Sequence, residues 1–463
     1  MSLHGSVRLE SVERWRDRKR YLWLTALAMP VIPFAAMVLF SLTDMGVWLW
    51  LGPIVILGLV PIIDWITGLD DSNPPDDLIE ALENDRYYRW LTFAFLPMQY
   101  AGFLIGLWFI VNAGLTTTEK VGLAVTLGFI GGLGINTAHE LGHKKEKHER
   151  WLAKIALAPS FYGHFYIEHN RGHHVRVATP NDPASSRLGE SFYEFLPRTV
   201  LGSIASSWRL EKARIARRGK HPFRITNDVL NSWLMTVALW ALILIWLGWG
   251  VLPYLLIQAA VAIALLEAVN YLEHYGMLRQ KVVSAGRERY EQVQPRHSWN
   301  SNNIATNVLL YHLQRHSDHH AQPTRRYQAL RDYEESPALP TGYAGMILLA
   351  LVPPMWFKVM DPRVAEHYDD DLSLAHLQPR RARRLATTDT TFSDHIATPA
   401  DSPTLTVSTP QHACPGCDYQ YDERLGDPRE GFPAGTSWAT IPADWCCPDC
   451  GVRTKEDFVA TER

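Results

Sequence analysis

The sequence is poor in cysteine: its 463 residues include five, and four of these form two Cys-x-x-Cys pairs. So sparse a set does not suggest a disulfide framework, and it suits a reducing compartment. A cleavable signal peptide is also lacking, since the first twenty residues are polar and rich in arginine. No flavin or nicotinamide motif is present. The formal net charge of -3 says little about partners, and we expect no nucleic acid among them.

Long apolar runs dominate most of the chain. A helix needs ~20 apolar residues to cross a bilayer, and six runs have that length: 21–42, 47–66, 90–111, 121–138, 229–248 and 251–270. A shorter run, 343–352, is stopped by Pro353 and Pro354, so we predict a helix that lies on the membrane or dips into it. Buried helices of a large soluble protein are the alternative. The number and length of the runs, and their one-sided basic flanks, disfavour that alternative.

The basic flanks predict the orientation. The N-terminus, KKEKHER after the fourth run and RLEKARIARRGK before the fifth all fall on one side, whereas the opposite loops are short and nearly uncharged. Lysine and arginine mark the cytoplasmic side of membrane proteins. We therefore predict a multi-pass protein of a bacterial-type inner membrane, with its histidine-rich segments facing the cytoplasm.

Histidines form four clusters, HELGH, EHNRGHH, NYLEHYG and LQRHSDHHA. Spacings of three and four residues place neighbouring imidazoles on one helix face. The HELGH pattern alone is typical of a zinc peptidase with Glu140 as general base. One zinc takes about three or four ligands, so the larger set suits two metals, and imidazole fits Fe, Cu, Zn or Ni. The candidate ligands are His139, His143, His169, His173, His174, His274, His316, His319 and His320.

Carboxylates beside these clusters are candidates for orienting the imidazoles, because metal-bound histidines commonly donate their second N–H to an acceptor. Each could equally be solvated or structural. The candidates are Glu140, Glu168, Glu273 and Asp318. Asp64, near the end of the second apolar run, is either an interfacial cap or a partner of a ligand histidine. Other histidines, His312 among them, are assigned to surface or supporting roles.

The four histidine motifs resemble those of the integral-membrane di-iron alkane 1-monooxygenases, and the resemblance covers residues 15–375. It implies two irons held by the nine histidines, activation of O2, and hydroxylation of the terminal methyl group of medium-chain n-alkanes. The HxxxH and HxxHH themes are shared with membrane fatty-acid desaturases and hydroxylases. These enzymes, and xylene-type methyl monooxygenases, are the alternatives, although NYLEHYG favours the alkane and xylene branch.

The C-terminal part carries CPGC and CPDC, with 29 residues between Cys417 and Cys447. Four thiolates hold Zn or Fe. The segment YDERLGDPREGFPAGTSWATIPADW resembles rubredoxin, which implies one iron held by Cys414, Cys417, Cys447 and Cys450, whereas a zinc ribbon is the alternative. Two departures are Asp418, where rubredoxins usually have glycine, and Cys446, which we interpret as a small apolar filler.

Together these features predict an all-α, desaturase-like membrane protein with six transmembrane helices, a cytosolic histidine-rich helical cap and a small β-rich rubredoxin domain. We expect a membrane domain at 1–376, a flexible linker at 377–410 and rubredoxin at 411–463. The expected partners are an alkane from the bilayer, O2, membrane lipids and a separate NAD(P)H-dependent flavin rubredoxin reductase.

Two surfaces are also predicted. The region 414–463 has ten acidic against five basic residues, so we expect it to dock on basic residues of the membrane domain. These are Lys144, Lys145, Lys147, Arg150, Lys154, Arg325 and Arg326. The alkane pocket is expected to be lined by several of the first, second, third and sixth membrane helices, with chain length set by bulky residues such as Trp48, Trp50, Leu51 and Ile54.

Overall fold

The computed structural model describes residues 16–70, 72–284, 287–381, 411–417, 419–443 and 445–461. The first arginines of the basic N-terminus, the linker from residue 382 onward, and Asp418 lie outside these ranges. The predicted domain boundaries stay predictions. Residues 377–381 nevertheless bind the membrane domain, because Gln378 donates its N–H to the Leu188 carbonyl and Arg381 pairs with Asp361 at 2.6 Å.

Six helices in the described part of the chain are long and apolar enough to cross a membrane, as the sequence predicted. The helices, including their 3-10 and π segments, are α1 Leu22–Thr43, α2 Gly46–Thr67, α3 Ile79–Asn84, α4 Arg86–Asn112, α5 Thr117–Gly142, α6 Lys147–Leu157, α7 165–176, α8 Phe192–Arg217, α9 Asp228–Leu247, α10 Trp249–His274, α11 Ile304–Leu309, α12 His316–Ala321, α13 Tyr343–Ala350 and α14 Pro353–His367. The spans are α1, α2, α4, α5, α9 and α10. Helices α5 and α10 run on past the apolar stretch and so carry His139 and His274.

Helices α13 and α14 meet at an angle of 120°. The bend falls at Pro353 and Pro354, where α13 has ended and proline occupies the first positions of α14. This geometry agrees with the predicted helix that dips into the membrane and does not span it as one straight segment.

Helix α5 is the centre of the bundle, and 89% of its apolar window is buried. Glycines on α5 let neighbours approach closely: a Cβ at Gly128 would lie 2.8 Å from the Gln258 carbonyl oxygen, and one at Gly132 would lie 2.7 Å from Leu265. Small residues at helix contacts are typical of membrane bundles. A capping box between Thr116 and Glu119 begins the helix. The first histidine pair therefore stands on the most tightly held helix.

Short elements complete the histidine-rich cap. A hairpin joins β1 Lys281–Ser284 to β2 Arg287–Tyr290 in antiparallel register, with Lys281 opposite Tyr290. The remaining single-turn 3-10 helices are Asp76–Leu78, Ala158–Ser160, Pro295–His297, Tyr327–Ala329 and Leu372–Leu374.

The C-terminal domain is a three-stranded antiparallel sheet in the order β4-β3-β5, with His412 opposite both Tyr421 and Ala460. Its strands are β3 Gln411–Ala413, β4 Gln420–Tyr421 and β5 Val459–Thr461, with 3-10 turns at Trp438–Thr440 and Lys455–Asp457. Its core is aromatic, consisting of Tyr421, Phe432, Ile441 and Trp445 with Tyr419, Trp438 and Phe458 packed against them. This arrangement confirms the predicted small β-rich domain.

Candidate metal centres

Four helices bring the histidine clusters together. Helix α5 ends in the first pair, α10 ends at His274, and α12 carries the fourth cluster. Within α7 the segment Glu168–His173 is a π-helix. A π segment changes the direction in which the side chains after it point, and such segments are common at functional sites. Here it lets His169, His173 and His174 all point inward, although they belong to one short helix.

The nine predicted histidines fall into two groups, and in each group the candidate ligand atoms lie within 4.8 Å of one another. All nine rings are buried. The five-His group is His139, His143, His169, His174 and His319, and the four-His group is His173, His274, His316 and His320.

The ring nitrogens within each group face each other. Nε2 of His139 lies 2.9 Å from Nε2 of His319, and Nε2 of His320 lies 2.8 Å from Nε2 of His316. Nε2 of His143 is buried without a hydrogen-bond partner. Neutral imidazoles carry one lone pair each, so converging lone pairs need a cation between them. The donor set therefore fits a metal ion in each group. Iron is among the metals that imidazole ligands bind well.

Burial favours the neutral form of three of these rings. It lowers the pKa of His169, His319 and His320 well below the usual value, and the neighbouring imidazoles lower it further. A neutral ring offers its lone pair without first losing a proton, which favours metal binding.

Among the predicted carboxylates, Glu273 alone approaches a candidate ligand: its Oε1 lies 3.2 Å from Nδ1 of His316. The two atoms are close, but neither is oriented for a hydrogen bond. Glu273 thus lies beside the four-His group as predicted, without a strong orienting bond to it.

The other three predicted carboxylates contact cations, which fits the structural role that the sequence left open for each of them. Glu140 pairs with Lys144 at 2.9 Å, Glu168 with Arg176 at 2.7 Å, and Asp318 with Arg325 at 2.8 Å. Burial raises the pKa of Glu168 to about 8 despite its arginine. A buried carboxylate gains more from a full positive charge than from a neutral ring, which explains the pairing.

Asp182 is the orienting carboxylate that the sequence did not indicate. Its Oδ2 accepts a hydrogen bond from Nδ1 of His173 at 2.9 Å and another from the Ser185 hydroxyl at 2.6 Å. It lies in the turn after α7, nine positions beyond His173. The Asn-Asp-Pro sequence signals a turn there, but no spacing rule ties the carboxylate to the ring.

Asp64 is a cap. Its carboxylate accepts the Thr306 N–H at 2.8 Å and the Thr306 hydroxyl, at the start of α11. A carboxylate there satisfies a backbone donor that the helix leaves unpaired. Of the two predicted roles, the structure shows the cap.

An apolar cavity lies among the spanning helices and the helices of the cap. Its lining comes from α1, α2, α5, α10, α11 and α13, so three of the four predicted spans take part and the fourth span, α5, joins them. The lining includes Ile56 and Val60 of α2, and none of the four residues predicted to set chain length. The cavity reaches Asn136, Val269 and Leu313, which lie three to five residues before ligand histidines of α5, α10 and α12.

The four cysteine sulfurs also lie within 4.8 Å of one another. Sγ of Cys414 is 3.7 Å from that of Cys450, and Sγ of Cys417 is 3.6 Å from that of Cys447. A tetrahedron with metal–sulfur bonds of about 2.3 Å has edges of about 3.8 Å. The four thiols therefore fit one tetrahedral metal ion.

The C-terminal domain docks on arginines of the histidine-rich cap. Arg150 pairs with Asp449 at 3.1 Å, Arg171 with Glu430 at 3.0 Å and Arg217 with the same Glu430 at 3.2 Å. On the hairpin side, Arg289 lies 3.4 Å from Asp457.

Of the predicted basic residues, Arg150 contacts this domain. Four others form ion pairs inside the membrane domain, because carboxylates from the same cap already neutralise them. These pairs are Lys144–Glu140, Lys154–Asp228, Arg325–Asp318 and Arg326–Glu149. The prediction had the right sign of charge and included Arg150, but it missed Arg171, Arg217 and Arg289.

Comparisons with known proteins agree with these two centres. The fatty acid desaturase family matches residues 120–350, and the rubredoxin family matches residues 411–458. The chain is 46% identical over 372 residues to an alkane 1-monooxygenase of Acinetobacter baylyi, covering 80% of this chain and 90% of that protein. It is 45% identical over 371 residues to an alkane 1-monooxygenase of Pseudomonas putida, covering 80% and 91%.

A more distant relative is the xylene/toluene monooxygenase hydroxylase component XylM of Pseudomonas putida, at 25% identity over 71% of this chain and 88% of that protein. Identity to the alkane enzymes is nearly twice as high, so the xylene-type and desaturase alternatives are not favoured. The chain belongs to the alkane 1-monooxygenase family, and its membrane domain is followed by a rubredoxin domain.

Proposed function

We propose that this protein hydroxylates the terminal methyl group of medium-chain n-alkanes to give 1-alkanols. One atom of O2 enters the product and the other leaves as water, and the rubredoxin domain delivers the two electrons required. The observation that carries this proposal is the apolar cavity among the spanning helices, whose lining includes Asn136, Val269 and Leu313, three to five residues before ligand histidines of both groups.

The cofactors are iron, a pair in the membrane domain and one ion in the rubredoxin. We assign the pair to the two histidine groups and the single ion to the four cysteines. The iron pair supplies oxygen activation and cleavage of an unactivated C–H bond, which acid–base side chains do not provide.

The chain's own residues position the substrate and exclude water. The cavity is lined almost entirely by aliphatic side chains, and the Asn136 amide is occupied by the Leu310 carbonyl at 2.8 Å. An alkane in the bilayer reaches such a slot without crossing water. The slot gives the substrate no polar anchor, so shape places its methyl end beside the histidines.

Electrons require a further partner, and the lack of a flavin or nicotinamide motif makes that partner a separate NAD(P)H-dependent flavin rubredoxin reductase. The protein is a multi-pass membrane protein. The one-sided basic flanks support an inner-membrane location with the iron sites and the rubredoxin facing the cytoplasm. The same flanks suit anionic lipid headgroups.

The test is direct. Membranes containing the full chain, supplied with octane, O2, NADH and a rubredoxin reductase, are expected to form 1-octanol, detected by gas chromatography and mass spectrometry. Membranes with the His320→Ala variant serve as the matched control. Formation of an unsaturated fatty acid, or no oxygenated product from a chain that holds all three irons, overturns the proposal.

A further inference from the structure

The rubredoxin domain touches the membrane domain through a glycine beside its iron site. Gly451 directly follows Cys450 and packs on the backbone of Asn170: a Cβ added at Gly451 would lie 2.0 Å from the Asn170 carbonyl oxygen. The Gly451 N–H also donates to the Cys447 carbonyl at 2.9 Å. The contact is thus fixed to the second cysteine pair.

On the membrane side the contact is equally close to a candidate ligand. Asn170 is bonded to His169 of the five-His group, and its side chain is held by a hydrogen bond to the Tyr166 carbonyl at 2.7 Å. Both residues belong to α7. Asn170 therefore presents its carbonyl to the rubredoxin from the helix that carries three of the nine histidines.

Ion pairs clamp the contact on both sides. Arg150 binds Asp449, which lies between the paired cysteines, and Arg171, next to Asn170, binds Glu430. Arg171 also lies 4.0 Å from Glu211 of α8, so it is itself held in place. The clamp aligns the cysteine loop with one peptide of the ligand helix.

We propose that the Asn170 peptide is the electron port of the membrane domain, and that Gly451 is glycine so that the two backbones can touch there. The inference rests on the proposed function, since it requires the rubredoxin to reduce the iron pair. In each transfer the ferrous tetrathiolate becomes ferric, and the iron pair gains that one electron. No bond forms or breaks. The path runs from the Cys450 sulfur through Gly451 to Asn170 and the His169 ring.

The chain offers a matched control. Gly435 has the same left-handed backbone as Gly451, with φ of +84° against +70°, but a Cβ at Gly435 would meet none of the described residues within 4 Å. Alanine costs both positions a similar backbone strain, because each has a positive φ. Only at Gly451 does it also separate the two domains.

The experiment follows the rubredoxin iron in the full-length holoenzyme. The chain is reduced anaerobically and mixed with O2 and octane, and the return of the ferric tetrathiolate absorption is timed, with 1-octanol measured in the same sample. We expect Gly451→Ala to slow the return at least tenfold, with unchanged iron content and reduction potential. Gly435→Ala should stay within twofold of the unmodified chain. Equal rates for both variants overturn the port.

If Gly451→Ala loses its iron, a second set of variants tests the proposal. Asp449→Arg should slow the return, and the double variant Asp449→Arg with Arg150→Asp should restore it, after correction for any measured change in potential. Equal reoxidation rates in the unmodified chain, the single variant and the double variant overturn the proposed electron port. Failure of the proposed function looks different, because the unmodified chain would then reoxidise without forming 1-octanol.

Discussion

Asp182 receives the Nδ1–H of His173 at 2.9 Å, in a site where both residues are buried. The bond fixes the tautomer of His173, so that Nε2 faces Nε2 of His320 at 3.2 Å. Ser185 and the backbone N–H of Ala184 hold the carboxylate in turn. Asp182 is therefore a positioning residue for the four-His group.

Replacing Asp182 with asparagine should weaken iron binding, because an amide can present its N–H to Nδ1 and favour the wrong tautomer. Loss of such outer partners costs about 10- to 100-fold in metal affinity. Iron content after challenge with a graded chelator measures the effect. Glu366→Gln, at an exposed site on α14, is the control. Iron retention identical to that of the control contradicts this role for Asp182.

The spans and the histidine motifs were predictable because their signals are local. A run of ~20 apolar residues and a spacing of three or four residues each specify geometry within one helix. The partners of Glu140 and Asp318 were not predicted, although Lys144 and Arg325 are only four and seven residues away. Whether such a carboxylate pairs with a cation or with an imidazole depends on how the cap packs, and no local sequence pattern predicts that packing.

The docking residues were likewise not predictable from local sequence. The acidic character of the rubredoxin region was evident from composition, but Arg171 and Arg217 come from separate helices that meet at Glu430 only in the folded cap. The cavity lining was not fully predictable either: α5, at the bundle centre, contributes Gly132, Leu133 and Asn136, although this span was not among those predicted.

Removing one ring of the four-His group should abolish alcohol formation. His274→Ala leaves the remaining lone pairs of that group without a full ligand set, so we expect activity to fall at least 100-fold and iron in the membrane domain to drop below two per chain. Metal analysis and product assay of the same preparation measure both. The control is His148→Gln, since the His148 side chain is 62% exposed on α6. An active, fully loaded His274→Ala chain contradicts the ligand assignment.

The adjacent cysteines Cys446 and Cys447 should behave oppositely. Cys447→Ser removes one corner of the tetrathiolate, so the chain should lose the rubredoxin iron and its colour but keep the pair in the membrane domain. NADH-driven alcohol formation should fall more than 100-fold. Cys446 is not part of the four-sulfur group, and Cys446→Ser should keep three irons. If zinc is the native ion, Mössbauer spectra of the unmodified chain will lack the tetrathiolate iron signal.

Asp64→Asn should destabilise the cavity wall. Asparagine keeps one acceptor, but it loses the charged hydrogen bonds to Thr306, and a cap of this kind contributes about 1–2 kcal/mol. We expect a lower melting temperature in detergent and weaker octane saturation, because Thr306 lines the cavity. Asp44→Asn, in the exposed turn between α1 and α2, should change neither value. Unaltered melting of Asp64→Asn contradicts the capping role.

Glu430 should contribute most of the electrostatic docking energy. It is 3% exposed and lies against both Arg171 and Arg217. Removing one charge of a buried set costs about 2–5 kcal/mol, because the others stay buried and unpaired. Glu430→Gln should therefore slow reoxidation of the rubredoxin iron at least tenfold. Glu456→Gln should have little effect, because Glu456 is 31% exposed and lies 3.8 Å from Arg289, and such pairs contribute about 0–1 kcal/mol.

Acid and salt should affect the buried ion pairs of Glu430 and the exposed ion pairs of the docking surface differently. Burial alone would raise the pKa of Glu430, but Arg171 and Arg217 hold it below the usual value. A lowered pKa means that the docking energy is complete above the undocked pKa of about 4.3 and is lost as pH falls through the docked value. Salt screens exposed pairs more strongly than buried ones. Reoxidation rates in the unmodified chain should thus fall modestly with potassium chloride, and those of Glu430→Gln should fall further, since only exposed pairs then hold the domain. Salt-independent rates in both chains contradict electrostatic docking.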